Sequence, residues 1–482
     1  MLKLSNKTII IATFIGLFLI AMFTVPHDVL DATDVKDYTD TAKFFAGDYA
    51  ARYRGSHSVI YGLLLSPYEN IMGSYSLVKL SSAFFLCLLI LSIYYLSGKD
   101  RRTLLLLAFC PLIWYMAPWV SPIPLVSILF LWAYHFTMKF EKENKIRNLL
   151  YAGILLGLSA SLWATALYWS AIFLICFLYD KKLWNSFMFI LGVAIGFAPV
   201  MITDQILFSF PFYSLVKHIS SSTLFAIQGG IYNQGYSEGL MHRIFVLIFT
   251  PLYFFMLFKK NYFSRYKKEM IFLGLSLIYV LSNPQARLLL PMLPLIIIIL
   301  GKTLSEKQLR RQIIVFAVLS LIALAPYIAQ FNYNSSLRYI SPTLFSEGWS
   351  ISYPHESLII KNDLQSIVYD HPNEIFLAGN YNDAYRDLAH YYYGKSVREF
   401  VSIEDYNLHI KNQSTIASRK ISSKSTIASR REIWFEAGID KSTSHESNYS
   451  EIRYAISFDN HIDAPGFRIV KKYDKLYLFA KN

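Results

Sequence analysis

The sequence predicts a mainly α-helical, polytopic transmembrane bundle that ends in a small extracytoplasmic α/β domain. Three observations predict it. Hydrophobic residues make up 54% of the 482 positions and charged residues only 16%, whereas a soluble domain carries about 25% charged residues. The apolar residues come in runs long enough to cross a bilayer up to about Gln330, and such runs are missing after it. The basic residues stand in short clusters between these runs, as the positive-inside rule expects of cytoplasmic connectors. That placement accounts for the formal net charge of +13 and argues against nucleic acid as a partner.

The first run, residues 9–25, follows Lys3 and Lys7 and lacks an A-x-A-like cleavage site, so it reads as a retained signal-anchor helix with a cytoplasmic N-terminus. Residues 26–73 then form an outer loop. A second span over 74–96 returns to Lys99, Arg101 and Arg102. A third and a fourth, 103–117 and 123–138, make a hairpin whose outer tip is Pro118-Trp-Val-Ser-Pro122, and it ends at the basic segment 139–147. Residues 148–179 form either one very long helix or two short ones broken near Trp163. Two short ones keep Lys181 and Lys182 inside with the other basic clusters, and are preferred. Further spans run to about Ile202, to Lys259, to Leu281, from Arg287 to Lys302, and over 313–329, for a total of about 11.

The chain therefore divides into a membrane domain, 1–330, and a soluble extracytoplasmic domain, 331–482. In the latter, strands are expected at 374–378, 398–403, 433–435 and 454–458, and a helix at 382–393 that stops at Gly394. A closing hairpin is expected from 467–470 and 476–479. This alternation argues for a small α/β fold. The hexapeptide Ser414-Thr-Ile-Ala-Ser-Arg419 recurs at 425–430, too few copies for a solenoid, and reads as a duplication in a solvated loop. Asn-x-Ser sequons at Asn334, Asn412 and Asn448 agree with an outside location. Cys87, Cys110 and Cys176 all lie in apolar runs and read as small apolar fillers, not as disulfides or CxxC metal ligands.

A transporter carries ionisable groups inside its spans. Here the spans are nearly bare, and acidic residues collect in the outer loops. The richest is the first, with Asp28, Asp31, Asp34, Asp37 and Asp40, then Asp48, Arg52, Arg54 and His57. Residues 39–45 and 58–65 within it read as short helices lying on the membrane, able to hold a lipid-borne substrate at headgroup level.

At these residues the chain resembles a family. Asp34…Tyr38, Ala42-Lys-Phe-Phe-Ala-Gly47, His57-Ser-Val-Ile-Tyr-Gly-Leu-Leu-Leu65, Phe208-Ser-Phe-Pro-Phe-Tyr213 and Arg287-Leu-Leu-Leu-Pro-Met-Leu-Pro-Leu295 stand in order over most of 1–330. They resemble motifs of the GT-C superfamily of glycosyltransferases, particularly its protein O-mannosyltransferase and aminoarabinose-transferase-like branch. The family's acidic pair is spread here as Asp34 and Asp37, and no proline pair follows His57.

The resemblance implies transfer of a sugar from a polyprenyl-phosphate carrier to a protein, lipid or glycan acceptor outside the cytoplasm. A hydroxyl attacking an anomeric carbon needs a general base; Asp34 is expected to serve, with Asp37 as the alternate. The departing lipid phosphate needs cations, for which Arg52, Arg54, His57, Lys217, Arg243 and Arg287 are the outer-side candidates, Arg287 first. The resemblance also implies a divalent metal site formed by Glu69 and His218. The competing expectations are a multi-span lipid or glycan transporter or flippase, and an oligosaccharide polymerase or ligase that moves preassembled glycans.

Overall fold

The computed structural model describes residues 4–23, 38, 41–47, 59–72, 75–117, 119–178, 183–216, 218–219, 246–282 and 286–330. Beyond these it describes 339–341, 350–352, 363–364, 366–367, 369–371, 374–378, 399–403, 406–407, 451–457, 459–474 and 476–482. Up to Gln330 the described elements are helices, and after it the sheets begin.

The helices are α1 (Asn6–Phe23), α2 (Val59–Met72), α3 (Tyr75–Leu96), α4 (Arg101–Ala108), α5 (Pro111–Met116), α6 (Ile123–Glu143), α7 (Ile146–Leu162), α8 (Ala166–Leu178) and α9 (Leu183–Phe208). They continue with α10 (Lys260–Arg265), α11 (Lys267–Ser282), α12 (Leu293–Thr303) and α13 (Glu306–Gln330), with 3₁₀ turns at Phe254–Phe258 and Ala286–Leu289. Two of the described helices are both long and apolar enough to cross a bilayer, Ile123–Glu143 and Leu183–Leu207, and shorter apolar helices accompany them.

Several helix ends differ from the sequence expectation for visible reasons. The run expected as one span over 103–117 is two helices, because Pro111 cannot donate into a continuing ladder and takes the first-turn position of α5. α4 starts where Asp100 caps it: its carboxylate accepts from Thr103 N at 2.9 Å and Thr103 Oγ1 at 2.7 Å. α9 runs on to Phe208, beyond the expected end near Ile202, and α2 reaches Met72 with Pro67 inside it. The preferred break near Trp163 is present, between α7 and α8.

The tightest crossing joins α7 to α9. Gly153 and Gly157 face Gly192 and Gly196, and a Cβ on Gly157 would collide with the Val193 carbonyl, one on Gly196 with that of Ile154. Ser161 adds a hydrogen bond to the Gly196 carbonyl at 3.0 Å. Small residues spaced by four let backbones close, the arrangement that membrane helices use to associate. Elsewhere α6 packs on α3 and α7, α8 on α11, α12 on α4, and α13 on α5.

The C-terminal part holds a two-stranded antiparallel pair, β1 (Tyr339–Ser341) and β2 (Ser350–Ser352). It also holds a mixed five-stranded sheet of β3 (Ile375–Ala378), β4 (Glu399–Ser402), β5 (Ile452–Ser457), β6 (Phe467–Lys472) and β7 (Tyr477–Lys481), ordered β4-β3-β5-β7-β6. β3 is parallel to both β4 and β5, and β5-β7-β6 is antiparallel. The expected strands at 374–378, 398–403 and 454–458 and the closing hairpin are thus present. The strand at 433–435, the helix at 382–393, the duplicated hexapeptide and the sequons fall outside the described residues. Strand alternation covers both faces. Phe376, Ile456 and Leu478 belong to the same buried cluster as the bundle, together with Leu364 and Ile367, while Ile375, Leu377, Ala455 and Phe479 form a second cluster.

Candidate active site

Segments far apart in sequence meet at one end of the bundle. From the first loop comes Tyr38, buried, with its ring edge-on to that of Tyr61 of α2 at 4.9 Å. Gly62, one residue on, leaves room for this approach: a Cβ there would collide with the side chain of Thr41. The helical stretch after Thr41 stops at Gly47, whose φ of +100° is open to glycine and strained for other residues. Phe44 and Phe45 of that stretch pack with Val59, Leu207 and Tyr213, so the Ala42–Gly47 motif and the Phe208–Tyr213 motif touch.

Asp204 shapes the second of these motifs. It is buried in the last turns of α9, one turn before the helix ends. Its carboxylate accepts from Ser214 N at 2.8 Å and Ser214 Oγ at 2.6 Å, which folds the chain after α9 back onto the helix.

Deeper in, the Tyr61 hydroxyl is within reach of Ser82 and Ser81 of α3 and of the backbone of Ser121. Burial raises its pKa above the ordinary phenol range, against the opposing pull of these polar neighbours. Ser82 in turn accepts from Ser121 N at 3.4 Å. This polar seam ties α2 and α3 to the tip of the α5–α6 hairpin. At that tip Trp119 is buried against Tyr115, ring centres 5.3 Å apart, and Arg287 of the 3₁₀ turn stacks on the indole at 5.6 Å.

Of the residues expected to act, Arg287 and His218 are placed by the structure. Arg287 joins the seam through Trp119. His218 Nε2 stands 3.4 Å from Thr165 Oγ1, at the break between α7 and α8. Glu69 lies on α2, its side chain outside the described residues, as are Asp34, Asp37, Arg52, Arg54, His57, Lys217 and Arg243 altogether. Among the described residues no three His, Cys, Asp or Glu side chains gather as metal ligands. Tyr61, Ser82, Trp119 and Asp204 were not singled out from the sequence as site residues. Tyr61 and Trp119 do sit inside the quoted first-loop motif and the hairpin tip, and that was the available signal.

The architecture as a whole matches known structures. ArnT from Cupriavidus metallidurans bound to undecaprenyl phosphate superposes with a TM-score of 0.60 at 10% identity, over 98% of this chain and 97% of that one. ArnT from the same organism in the apo state gives 0.56 at 11% identity over the same shares. The fold is that of ArnT. By sequence alone, no family model and no curated protein matches. In this ArnT-type fold the similarity is carried end to end by architecture, the C-terminal sheet included, at an identity too low for most side chains to be shared.

Proposed function

We propose that the protein is a membrane glycosyltransferase that moves a sugar from a polyprenyl-phosphate carrier to a hydroxyl-bearing acceptor on the non-cytoplasmic face. The observation that carries this reading is the convergence just described: the first-loop motif packs on the Phe208–Tyr213 motif through Phe44, Phe45 and Val59, and its Tyr61 stands beside the Ser82–Ser121 seam at the hairpin tip, where Trp119 carries Arg287. The ArnT-type fold supports it, since ArnT itself has been crystallised with undecaprenyl phosphate.

In the proposed reaction the acceptor oxygen attacks the anomeric carbon and the bond from that carbon to the carrier phosphate oxygen breaks. The acceptor proton passes to the carboxylate of Asp34, or of Asp37 as the alternate. The carrier leaves as a phosphate monoester, and Arg287 stabilises the charge that develops on it. Arg52, Arg54, His57, Lys217 and Arg243 are proposed to line the same phosphate and sugar path. The Tyr61–Ser82–Ser121 seam holds the loop and the Arg287 turn in register, the fixed geometry that such a displacement requires.

A divalent cation on Glu69 and His218 is proposed as an accessory charge near the leaving phosphate. Carboxylate, imidazole and the neighbouring Thr165 hydroxyl are donor types that such an ion accepts. Loss of activity on chelation and its return with added Mg²⁺ or Mn²⁺ tests that role. The transferase reading is tested in membranes with labelled polyprenyl-phosphate sugars: transfer of label with release of free polyprenyl phosphate is expected. Consumption of a diphosphate-linked glycan instead would assign the protein to polymerases or ligases.

A further inference from the structure

The phosphate subsite has a feature that the transferase reading does not use. The indole N–H of Trp119 is buried and has no acceptor among the described residues. Two other tryptophans of the bundle are satisfied: Trp114 donates to the Ala108 carbonyl at 2.9 Å and Trp132 to Ser92 Oγ at 3.3 Å. A buried donor left without an acceptor loses its hydration for nothing in return. Trp119 is only 5% exposed, and the guanidinium carbon of Arg287 lies over the same ring, 5.6 Å from its centre. A buried neutral donor and a cation therefore occupy one spot at the end of the bundle where the motifs meet. That pairing suits an anion carrying several acceptor oxygens, and a phosphate monoester is such an anion.

We propose that the Trp119 indole N–H donates to an oxygen of the carrier-lipid phosphate while its ring fixes the plane of the Arg287 guanidinium. This assignment rests on the polyprenyl-phosphate reading above and adds a binding residue to it. The division of labour has a physical reason. Arg287 supplies charge, and the indole supplies direction without adding a second charge that would retain the released phosphate. Trp169 provides an internal comparison, since its indole N–H is also buried without an acceptor. Its ring contacts are to Trp163, Tyr168 and Tyr279, with no cation over it among the described residues.

The test is equilibrium binding of undecaprenyl phosphate to the purified full-length protein in lipid nanodiscs. W119F keeps the aromatic ring and removes the donor; it is expected to bind roughly tenfold more weakly, the usual effect of losing one hydrogen bond to a charged group. W119H restores a ring N–H and is expected to recover most of that loss. W169F, the same deletion made away from Arg287, is expected to bind as the wild type does. The proposal is overturned if W119F binds like wild type, if W119H binds no better than W119F, or if W169F is weakened as much as W119F. Displacement of the lipid by equimolar inorganic phosphate would contradict a lipid-borne phosphate as the ligand. A wild-type protein that does not retain undecaprenyl phosphate at all overturns the transferase reading itself. Retention by the wild type with an indifferent W119F overturns only the role of Trp119.

Discussion

Asp204 and Arg287 show how far single residues could be read ahead of the structure. Arg287 was singled out as a cation at the start of an apolar run, a proposed partner of a lipid phosphate; its stacking on Trp119 could not be read, because the contact joins positions far apart in sequence. Asp204 was not singled out as a site residue; buried near the end of α9, it holds Ser214 through both carboxylate oxygens. Asp204→Ala is expected to lower stability by about 2 kcal/mol, the cost of leaving buried partners unsatisfied, seen as a reduced unfolding midpoint in detergent. Arg287→Ala is expected to lower kcat about a hundredfold with a smaller change in KM for acceptor, since the charge it meets develops in the transition state. Asp34→Asn is expected to abolish transfer. Full activity in Asp34→Asn together with its loss in Asp37→Asn would move the base to Asp37.

At the scale of elements, local rules succeeded where the cause is local. The break near Trp163 followed from keeping Lys181 and Lys182 with the other basic clusters, and α7 and α8 part there. The closing hairpin followed from two apolar runs about a turn, and β6 and β7 pair antiparallel. The parallel pairing of β3 with both β4 and β5, and the insertion of β5 between β3 and β7, depend on long-range packing that no local pattern encodes. The same holds for α7 against α9, whose four glycines read as ordinary residues of apolar runs until the two helices are placed together. Gly157→Val is expected to force those backbones apart and to cost about 1–3 kcal/mol, as overpacking of a close contact does. Gly274→Val, at an uncrowded site where a Cβ would meet only the Phe258 ring at 3.8 Å, is expected to cost less. Thermal unfolding of the two variants side by side measures the difference.

For the molecule as a whole, charge placement gave the reading its frame: basic connectors on one side, the first loop and the C-terminal sheet on the other. In whole cells a cysteine at His461, exposed near β5, is expected to react with a membrane-impermeant maleimide. One at Lys142, exposed at the basic end of α6, is expected to react only after permeabilisation. The reverse pattern would invert the topology and remove the first loop from the proposed site. The central claim, transfer of a sugar from a polyprenyl-phosphate carrier, is tested most directly by incubating membranes with labelled polyprenyl-phosphate sugars and following both products. The account predicts label on an acceptor together with free polyprenyl phosphate, and loss of both when Asp34 and Asp37 are replaced together by Asn. Undiminished release in that double variant, or no release from the wild type with any such donor, would contradict it.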